Sequence, residues 1–450
     1  MVYLVDVQNT FRQSNLLANG NKSLFYAITS LLCAIFCSFS ANSQDFSDIS
    51  NVDSTYKYSI KTVSFYTEGD EIGTPIIKLG LEELLFLSFD DLEGENRTLT
   101  YTIIHCDANW NTSDLSKHQY MDGFYEQTIT DYQSSFSTLK PYVHYQLTLP
   151  NNDINPKLSG NYLLVVYEDY DPDKIILTRR FMVVSPKVEV NAEIIGSSQV
   201  DRRRLDQRIR FDVNHVGIEI YNPFNEVKVV VRQNRRWDNA KFNIVPRFAQ
   251  DYKIVYDSET ELNFPGGNEF RKVDFRSLRF QTENISDIEF KDNKYYIYLL
   301  KDQPLRFKRY LSSADENGKY FIRNKDGSQP EYDADYAEVT FTVDVDYPLI
   351  DADLYLYGAL SDFQCQEDFK LTYDYNNFRY TGSYLLKQGY YNYQYALKDH
   401  ESGGVDLTFI DGSHFETENF YEIFVYIRRA NKRYDELIAY EPISRNTVFK

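Results

Sequence analysis

Alternation of apolar and polar residues with a period of two is the feature that most limits what this chain can form. It recurs at residues 188–194, 339–346 and 391–398. Successive side chains of a strand point to opposite faces, so this alternation predicts strands with one face towards a core. No segment carries a sustained helical period, and residues 115–124 and 433–438 allow at most short helical turns. The pattern therefore predicts an all-β protein.

Composition and turn residues agree with this class. The chain has 450 residues, of which 16% are aromatic, including 39 Tyr and 31 Phe, and such residues suit half-buried pleated surfaces. Residues 169–173 (Asp-Tyr-Asp-Pro-Asp) separate two apolar runs, 162–167 and 175–184. Their turn chemistry predicts a hairpin. We expect several immunoglobulin-like β-sandwich domains in tandem.

Composition breaks predict three domains. Ser185-Pro186 ends the first group of strands, and the polar stretch 324–335 precedes the last. The predicted domains span residues 44–185, 186–334 and 335–450. The segments at 354–358 and 385–393 of the third domain resemble early-set immunoglobulin-like domains, which include glycogen-binding modules. Those modules stack sugars on exposed Trp, and residues 335–450 contain no Trp.

The N-terminal region has the pattern of an export signal. Lys22 precedes an apolar run, 24–39, and the small-residue site 41–43 follows it. The run is shorter than the roughly 20 residues needed to span a bilayer. We therefore expect a cleaved signal peptide at residues 1–43 and an exported, soluble mature chain without a membrane span.

Motifs for catalysis or metal binding are weak. None of the six His has chelating spacing with another, and Cys106 and Cys365 are the two thiols after residue 43. His105, Cys106 and Asp107 are adjacent, so on a strand they cannot all face one site. We expect two buried thiols, with a bridge between the first and last domains as the alternative, and no catalytic, cofactor or metal site. A hydrolase with two carboxylates across one cleft is an alternative.

Basic residues cluster in the middle of the chain, although the net charge is −19. The negative total argues against nucleic-acid binding. The clusters contain aromatic residues, and Arg with aromatic side chains is typical of protein–protein contacts. Pairing with the chain's own acidic residues is the alternative. The candidate partner-contact residues are Arg202, Arg203, Arg235, Arg236, Trp237, Arg306 and Arg309.

A series of segments, taken in order across residues 60–440, resembles the plug proteins of the type 9 secretion system. The clearest segments are residues 104–110 (IHCDANW), 120–124 (YMDGF), 158–162 (LSGNY), 236–239 (RWDN), 264–270 (FPGGNEF) and 412–419 (GSHFETEN). The resemblance implies a periplasmic protein that sterically and reversibly occludes the periplasmic opening of an outer-membrane translocon barrel. It also implies that this barrel is the partner. A periplasmic or surface carbohydrate-binding protein is the alternative.

Overall fold

Thirty strands form three β-sandwiches in the part of the chain that the structure describes, residues 49–94 and 96–445. The structure is a computed structural model. The predicted signal peptide at residues 1–43 lies outside the described residues. The three sandwiches belong to one compact unit, which begins at Ser50. The predicted all-β class with several sandwiches is confirmed.

Domain 1 spans residues 49–185 and has two main sheets around one core. Phe65 of one sheet meets Phe181 of the other edge-on, with ring centroids 6.0 Å apart. The first sheet has the order β1 (Ser54–Thr55), β12 (Ile175–Val184), β11 (Gly160–Glu168), β5 (Leu99–Cys106) and β7 (Gln127–Thr128), with β3 (Ile76–Lys78) parallel to β12. The second has the order β2 (Ile60–Thr67), β4 (Leu85–Asp91), β9 (Val143–Leu149) and β8 (Asp131–Ser134), and β6 (Met121–Gly123) pairs with β10 (Ile154–Pro156).

Domain 2 is built from two separate stretches of chain, residues 186–268 and 413–445. Its core combines Val229 and Phe211 of the first stretch with Ile423 and Val425 of the second. One sheet has the order β13 (Glu189–Gly196), β14 (Asp206–Asn214), β17 (Lys253–Tyr256) and β16 (Phe248–Gln250), with β18 (Asn263–Pro265) on β14. The other has the order β15 (Val227–Gln233), β29 (Phe420–Ile427) and β30 (Glu436–Ser444).

Domain 3, residues 269–412, is inserted between these stretches. Phe341 of one sheet meets Tyr393 of the other at 4.8 Å. The first sheet has the order β20 (Ile285–Lys291), β21 (Lys294–Leu299), β23 (Tyr336–Val343), β26 (Arg379–Lys387) and β25 (Thr372–Asp374). In the second, β19 (Arg271–Asp274), β22 (Tyr320–Ile322), β24 (Ala352–Tyr357) and β28 (Val405–Asp406) all pair with β27 (Gly389–Asp399).

Helical segments are short in the described residues. They are α1 (Lys117–Tyr120), α2 (Pro223–Glu226), α3 (Pro330–Asp333), α4 (Thr408–Asp411) and the 3₁₀ turns Ala359–Ser361 and Glu367–Phe369. None of the helices in residues 49–94 and 96–445 has the length and apolar character needed to cross a membrane.

Strand pairing contradicts the domain boundary predicted at 334/335. Residues 185 and 186 lie between β12 and β13, which belong to different sheets. Strand β21 pairs in parallel with β23, so residues before 334 belong to the last sandwich. Strand β29 pairs with β15, so the C-terminal strands return to the middle sandwich. Local composition could not reveal these pairings. The strands β15 and β29, for example, lie about 190 residues apart in sequence.

Strand predictions from alternation are confirmed at β13, β23 and β27, and the predicted hairpin is β11–β12. A helical turn occurs within 115–124, as α1. Strand β11 shows continuous burial rather than alternation, because the side of its sheet that faces away from the domain 1 core packs on domain 2. There Tyr426 donates a hydrogen bond to Asn161 Oδ1 at 2.8 Å.

Gly160, at the start of β11, has φ +146°, a region that side chains rarely adopt. A Cβ there would lie 2.7 Å from His105 Nε2 and 3.1 Å from the carbonyl oxygen of Asp435 in domain 2. The glycine therefore permits the close approach of domains 1 and 2.

A buried ionic cluster joins domains 1 and 3. We call Asp90, His144, Tyr336 and Lys387 the Asp90 cluster; each is at most 5% exposed. Lys387 Nζ and Tyr336 Oη donate to Asp90 Oδ2 at 2.7 and 2.6 Å, and His144 Nδ1 lies 2.6 Å from Oδ1. Burial alone would raise the pKa of Asp90, but Lys387 and then His144 outweigh it and hold the pKa below its usual value. Every charge in the cluster has a partner, so the cluster fixes the two domains together.

Candidate interaction surface

The seven predicted contact residues divide into an interior group, a surface group and Arg235, which lies between them. Arg236 belongs to the interior, with only 7% of its side chain exposed. Its Nη2 and Nε donate to the Asp238 carboxylate at 2.6 and 3.1 Å, and Tyr357 of domain 3 donates to the same carboxylate at 2.6 Å. The prediction of Arg236 as a partner contact is therefore wrong, since its guanidinium links domain 2 to domain 3.

Trp237 is also used inside the protein. Its ring lies 5.0 Å from that of Trp110 in domain 1, at an interplanar angle of 78°. The Arg180 guanidinium lies 4.6 Å from the Trp110 ring and 5.2 Å from the Trp237 ring, and Arg232 lies over Trp237 at 4.1 Å. We call these four residues the tryptophan junction. Trp237 was predicted at a partner surface; instead it stabilises the contact between domains 1 and 2 by cation–π and ring packing.

Arg235 lies between the two groups. It is half-buried, and its guanidinium lies 4.1 Å above the Phe420 ring. Its side chain faces a pocket at the meeting point of the three domains.

The surface group consists of Arg202, Arg203, Arg306 and Arg309. Arg202 is tied to Asp206 by two hydrogen bonds, of 2.8 and 2.6 Å. The other three are exposed, and among residues 49–94 and 96–445 none of them forms an ion pair within 4.0 Å. In a chain with net charge −19, three free guanidinium groups are available to an acidic partner.

Residues 305–311 (Leu-Arg-Phe-Lys-Arg-Tyr-Leu) form what we call the basic loop. It contains three cations and no acidic residue. The backbone N–H groups of Leu305 and Arg306 both donate to the Ile410 carbonyl, at 2.8 and 3.0 Å, which anchors its start. Phe307 is 93% exposed and Leu311 is 80% exposed. Exposed apolar side chains beside free cations are typical of a contact surface.

The basic loop and the turn that carries Arg203 and Arg204 flank one short segment, residues 412–415. At one end, a Cβ on Gly412 would lie 3.0 Å from Arg306 Cα. At the other end, the Phe415 N–H donates to the Arg204 carbonyl at 2.9 Å. The segment spans about 10 Å when extended. The backbones of Arg306 and Arg204 therefore lie near each other, at the two ends of the segment through which the chain passes from domain 3 back into domain 2.

The sequence reasoning missed Phe307 and Leu311 as part of this surface. Their signal was present, because residues 305–311 lack acidic residues and also lack the strict alternation of a half-buried strand. Apolar residues outside any strand pattern and next to cations could have been predicted to lie at the surface.

The thiols and the histidine beside one of them do not form a nucleophilic pair. Burial raises the pKa of Cys106 to about 12, and the pKa of Cys365 to about 11. Burial also lowers the pKa of His105 to about 4, and its Nδ1 lies 3.0 Å from Ser113 Oγ. Cys106 is buried, as predicted, whereas Cys365 is half-buried, and both thiols are free. No group of three or more His, Cys, Asp or Glu side chains placed to hold a metal ion occurs within the described ranges.

Comparison with known proteins identifies the first domain. Residues 60–185 match the family model described as "Type 9 secretion system plug protein 1st domain". A crystal structure of a hypothetical protein from Parabacteroides merdae ATCC 43184 is similar to 88% of this chain and all of its own, with 35% identity and a TM-score of 0.85. The native E. coli alpha-2-macroglobulin matches with 10% identity and a TM-score of 0.16, over 88% of this chain and 23% of its own. That score is too low to carry any argument. No curated protein matches. This match bears out, over residues 60–185, the resemblance seen in the sequence: domain 1 belongs to the family of type 9 secretion system plug protein first domains.

Proposed function

We propose that this protein reversibly closes the periplasmic opening of the outer-membrane type 9 translocon by steric blocking, without catalysing a reaction. The family match of domain 1 supports an envelope location and association with the secretion translocon. The steric part of the proposal rests on one observation, the paired and buried contacts that hold the three domains together. A body that blocks a wide opening must resist deformation, and buried ionic clusters oppose domain motion because separating them leaves unpaired charges.

The basic surface supports a contact that can release. Interfaces built on exposed charges bind with fast association, and salt screens them. The basic loop is outside the buried junctions, so it can bind and leave a partner without disturbing the domains. We propose that Arg203, Arg306 and Arg309, together with Phe307 and Leu311, contact an acidic region of the translocon.

Absence of catalysis is part of this proposal. The high pKa of Cys106 and the low pKa of His105 leave a neutral thiol and a neutral imidazole, with no activated nucleophile between them. Turnover of any metabolite or glycan by the purified protein would contradict this part.

Co-purification with the translocon tests the contact. We expect the purified, substrate-free translocon to retain the wild-type chain and to lose the double variant R306E/R309E, by at least tenfold at low ionic strength. The matched control is K291E/K294E, which reverses two exposed charges on the β20–β21 hairpin of the same domain. Equal retention of both variants would overturn the assignment of this surface.

Outer-membrane permeability tests the blocking role. Deletion of the gene should make cells sensitive to large antibiotics that the intact outer membrane excludes, and the wild-type gene should restore exclusion. If this protein co-purifies with the translocon but deletion of its gene leaves permeability unchanged, the protein binds the translocon without blocking it.

One observation favours the carbohydrate alternative. The turn between β25 and β26 exposes two aromatic side chains, Tyr375 at 72% and Phe378 at 60%, and sugars stack on exposed rings. Calorimetry of the full chain with glycans should give heat that the variant Y375A/F378A loses, if this alternative holds. No heat from the wild-type chain would remove it.

A further inference from the structure

A pocket of about 110 Å³ lies where the three domains meet. Its walls include Arg179 and Arg180 of domain 1, Arg235 of domain 2, and Lys319 and Asp362 of domain 3. One water needs about 10–15 Å³ of such space. The pocket therefore has room for one small polyatomic ion with its remaining water.

Cations outnumber acids in this junction pocket. Five basic and three acidic residues line it. One of the basic residues, Arg232, is paired with Glu422 outside the lining at 2.6 Å. Two of the acids are already paired, Asp362 with Arg179 at 3.2 Å and Glu71 with Arg323 at 2.5 Å. Arg323 lies outside the lining, so its pairing removes Glu71 as a partner for the pocket cations.

Among the described residues, three of these cations form no ion pair within 4.0 Å: Arg180, Arg235 and Lys319. Arg180 Nε donates instead to the Asn51 carbonyl at 2.7 Å. The Nε of Arg235 is buried and has no hydrogen-bond partner. Burial, and then Arg235 and Arg232, lower the pKa of Lys319 to about 8. Arg235 and Lys319 therefore line one pocket without an ion pair, and the acids that act on Lys319 are Asp53 and Glu422.

The turn that places Arg235 uses an unusual backbone conformation. Asn234 and Arg235 have φ values of 54° and 60°, in the left-handed region that Asn tolerates and Arg rarely adopts. Side-chain bonds hold the turn: the Phe420 N–H donates to Asn234 Oδ1 at 2.9 Å, and Asn234 Nδ2 donates to Asn419 Oδ1 at 2.8 Å. Backbone strain of this kind is concentrated at ligand-binding sites.

We propose that the junction pocket binds one small oxyanion, of the phosphate or carboxylate class, between Arg235 and Lys319. A guanidinium recognises the planar or tetrahedral oxygens of these groups through paired N–H donors, and an ammonium adds a point charge. Since Arg235 belongs to domain 2 and Lys319 to domain 3, the anion stabilises the contact between these domains. The proposal is independent of translocon binding.

Calorimetry and thermal denaturation of the mature full chain test this site. Sodium phosphate, sodium sulfate and sodium succinate are the probes, each against sodium chloride at equal ionic strength. We expect saturable one-to-one binding of at least one probe and a rise in Tm with its concentration. K319Q and R235Q should each weaken binding at least tenfold, whereas K294Q, a change at an exposed site in the same domain, should leave it unchanged.

The Tm of K319Q without oxyanion distinguishes a role of Lys319 in anion binding from a role in stabilising the fold. Without added oxyanion, K319Q should keep or raise Tm, because it removes a cation that faces Arg235 and Arg232. No saturable binding of any probe would overturn the proposal, as would equal binding by K319Q and K294Q. A fall in the Tm of K319Q without oxyanion would also contradict it.

Discussion

The interdomain junctions and the basic loop use the same residue types in opposite ways. In the Asp90 cluster, Lys387 is almost fully buried and its charge is matched by Asp90 at 2.7 Å. In the basic loop, Arg306 and Arg309 are exposed and have no ion-pair partner among the described residues. A cation with a buried partner contributes to the rigidity of the protein, whereas a cation without one is available to another molecule. The difference separates the residues that hold the body together from those that bind.

Removing the ammonium from the Asp90 cluster should have the largest effect on stability. Lys387→Met leaves a buried carboxylate without its main partner, and breaking a buried pair in this way costs about 3–5 kcal/mol. Native-state hydrogen exchange of amides in β26 measures the change. Lys294→Met is the exposed control and should stay within about 0.5 kcal/mol. A loss below about 1 kcal/mol for Lys387→Met would show that the cluster does not hold the domains.

Acid should weaken the contact between domains 1 and 2 through His105. Its pKa is lowered from 6.5 to about 4, so the folded protein disfavours the charged ring. The stability contribution is complete above pH 6.5 and is lost as the pH falls towards about 4, by about 3 kcal/mol in total.

The variant His105→Gln removes this titration and leaves in place the charges of Asp435, Arg428 and Asp107, which also affect the pKa of His105. Thermal denaturation of both proteins between pH 7 and pH 4 is the measurement. The variant should show a shallower decrease in stability over this range. Parallel curves would mean that protonation of His105 does not govern the acid response.

The basic loop should show the smallest effect on stability and a large effect on binding. R306E/R309E changes exposed side chains that have no ion-pair partner in the described chain. Its free energy of unfolding should therefore match that of the wild type within about 0.5 kcal/mol, with a correspondingly small change in Tm. Its loss of translocon binding should then be greater at low salt than at high salt. A lower Tm equal to that of a junction variant would place the loop among the structural contacts.

Period-two patterns allowed the sequence to predict strands such as β13, β23 and β27, because alternation is a local property. The insertion of domain 3 into domain 2 could not be predicted in this way. It depends on the pairing of Val227 with Ile427. The local pattern of either strand does not indicate which other strand it pairs with.

The contact surface shows the same limit. Arg236 and Arg309 both lie among basic and aromatic residues in the sequence. Only Arg236 has an Asp two residues later, and this carboxylate accepts hydrogen bonds from Arg236 and from Tyr357 of domain 3. The fold therefore determines which of these arginines are exposed, and local sequence does not.

The insertion of domain 3 also orders the events of folding. Strand β15 pairs along one side with β29, which lies more than 180 residues further along the chain. During synthesis, all of domain 3 must be made before β29 is available to cover this edge. Until then β15 presents unpaired backbone groups, the feature that recruits other strands and leads to aggregation. Chains truncated between β15 and β29 should therefore be insoluble even when domain 1 is intact. During synthesis, solubility would then depend on another molecule that covers the β15 edge.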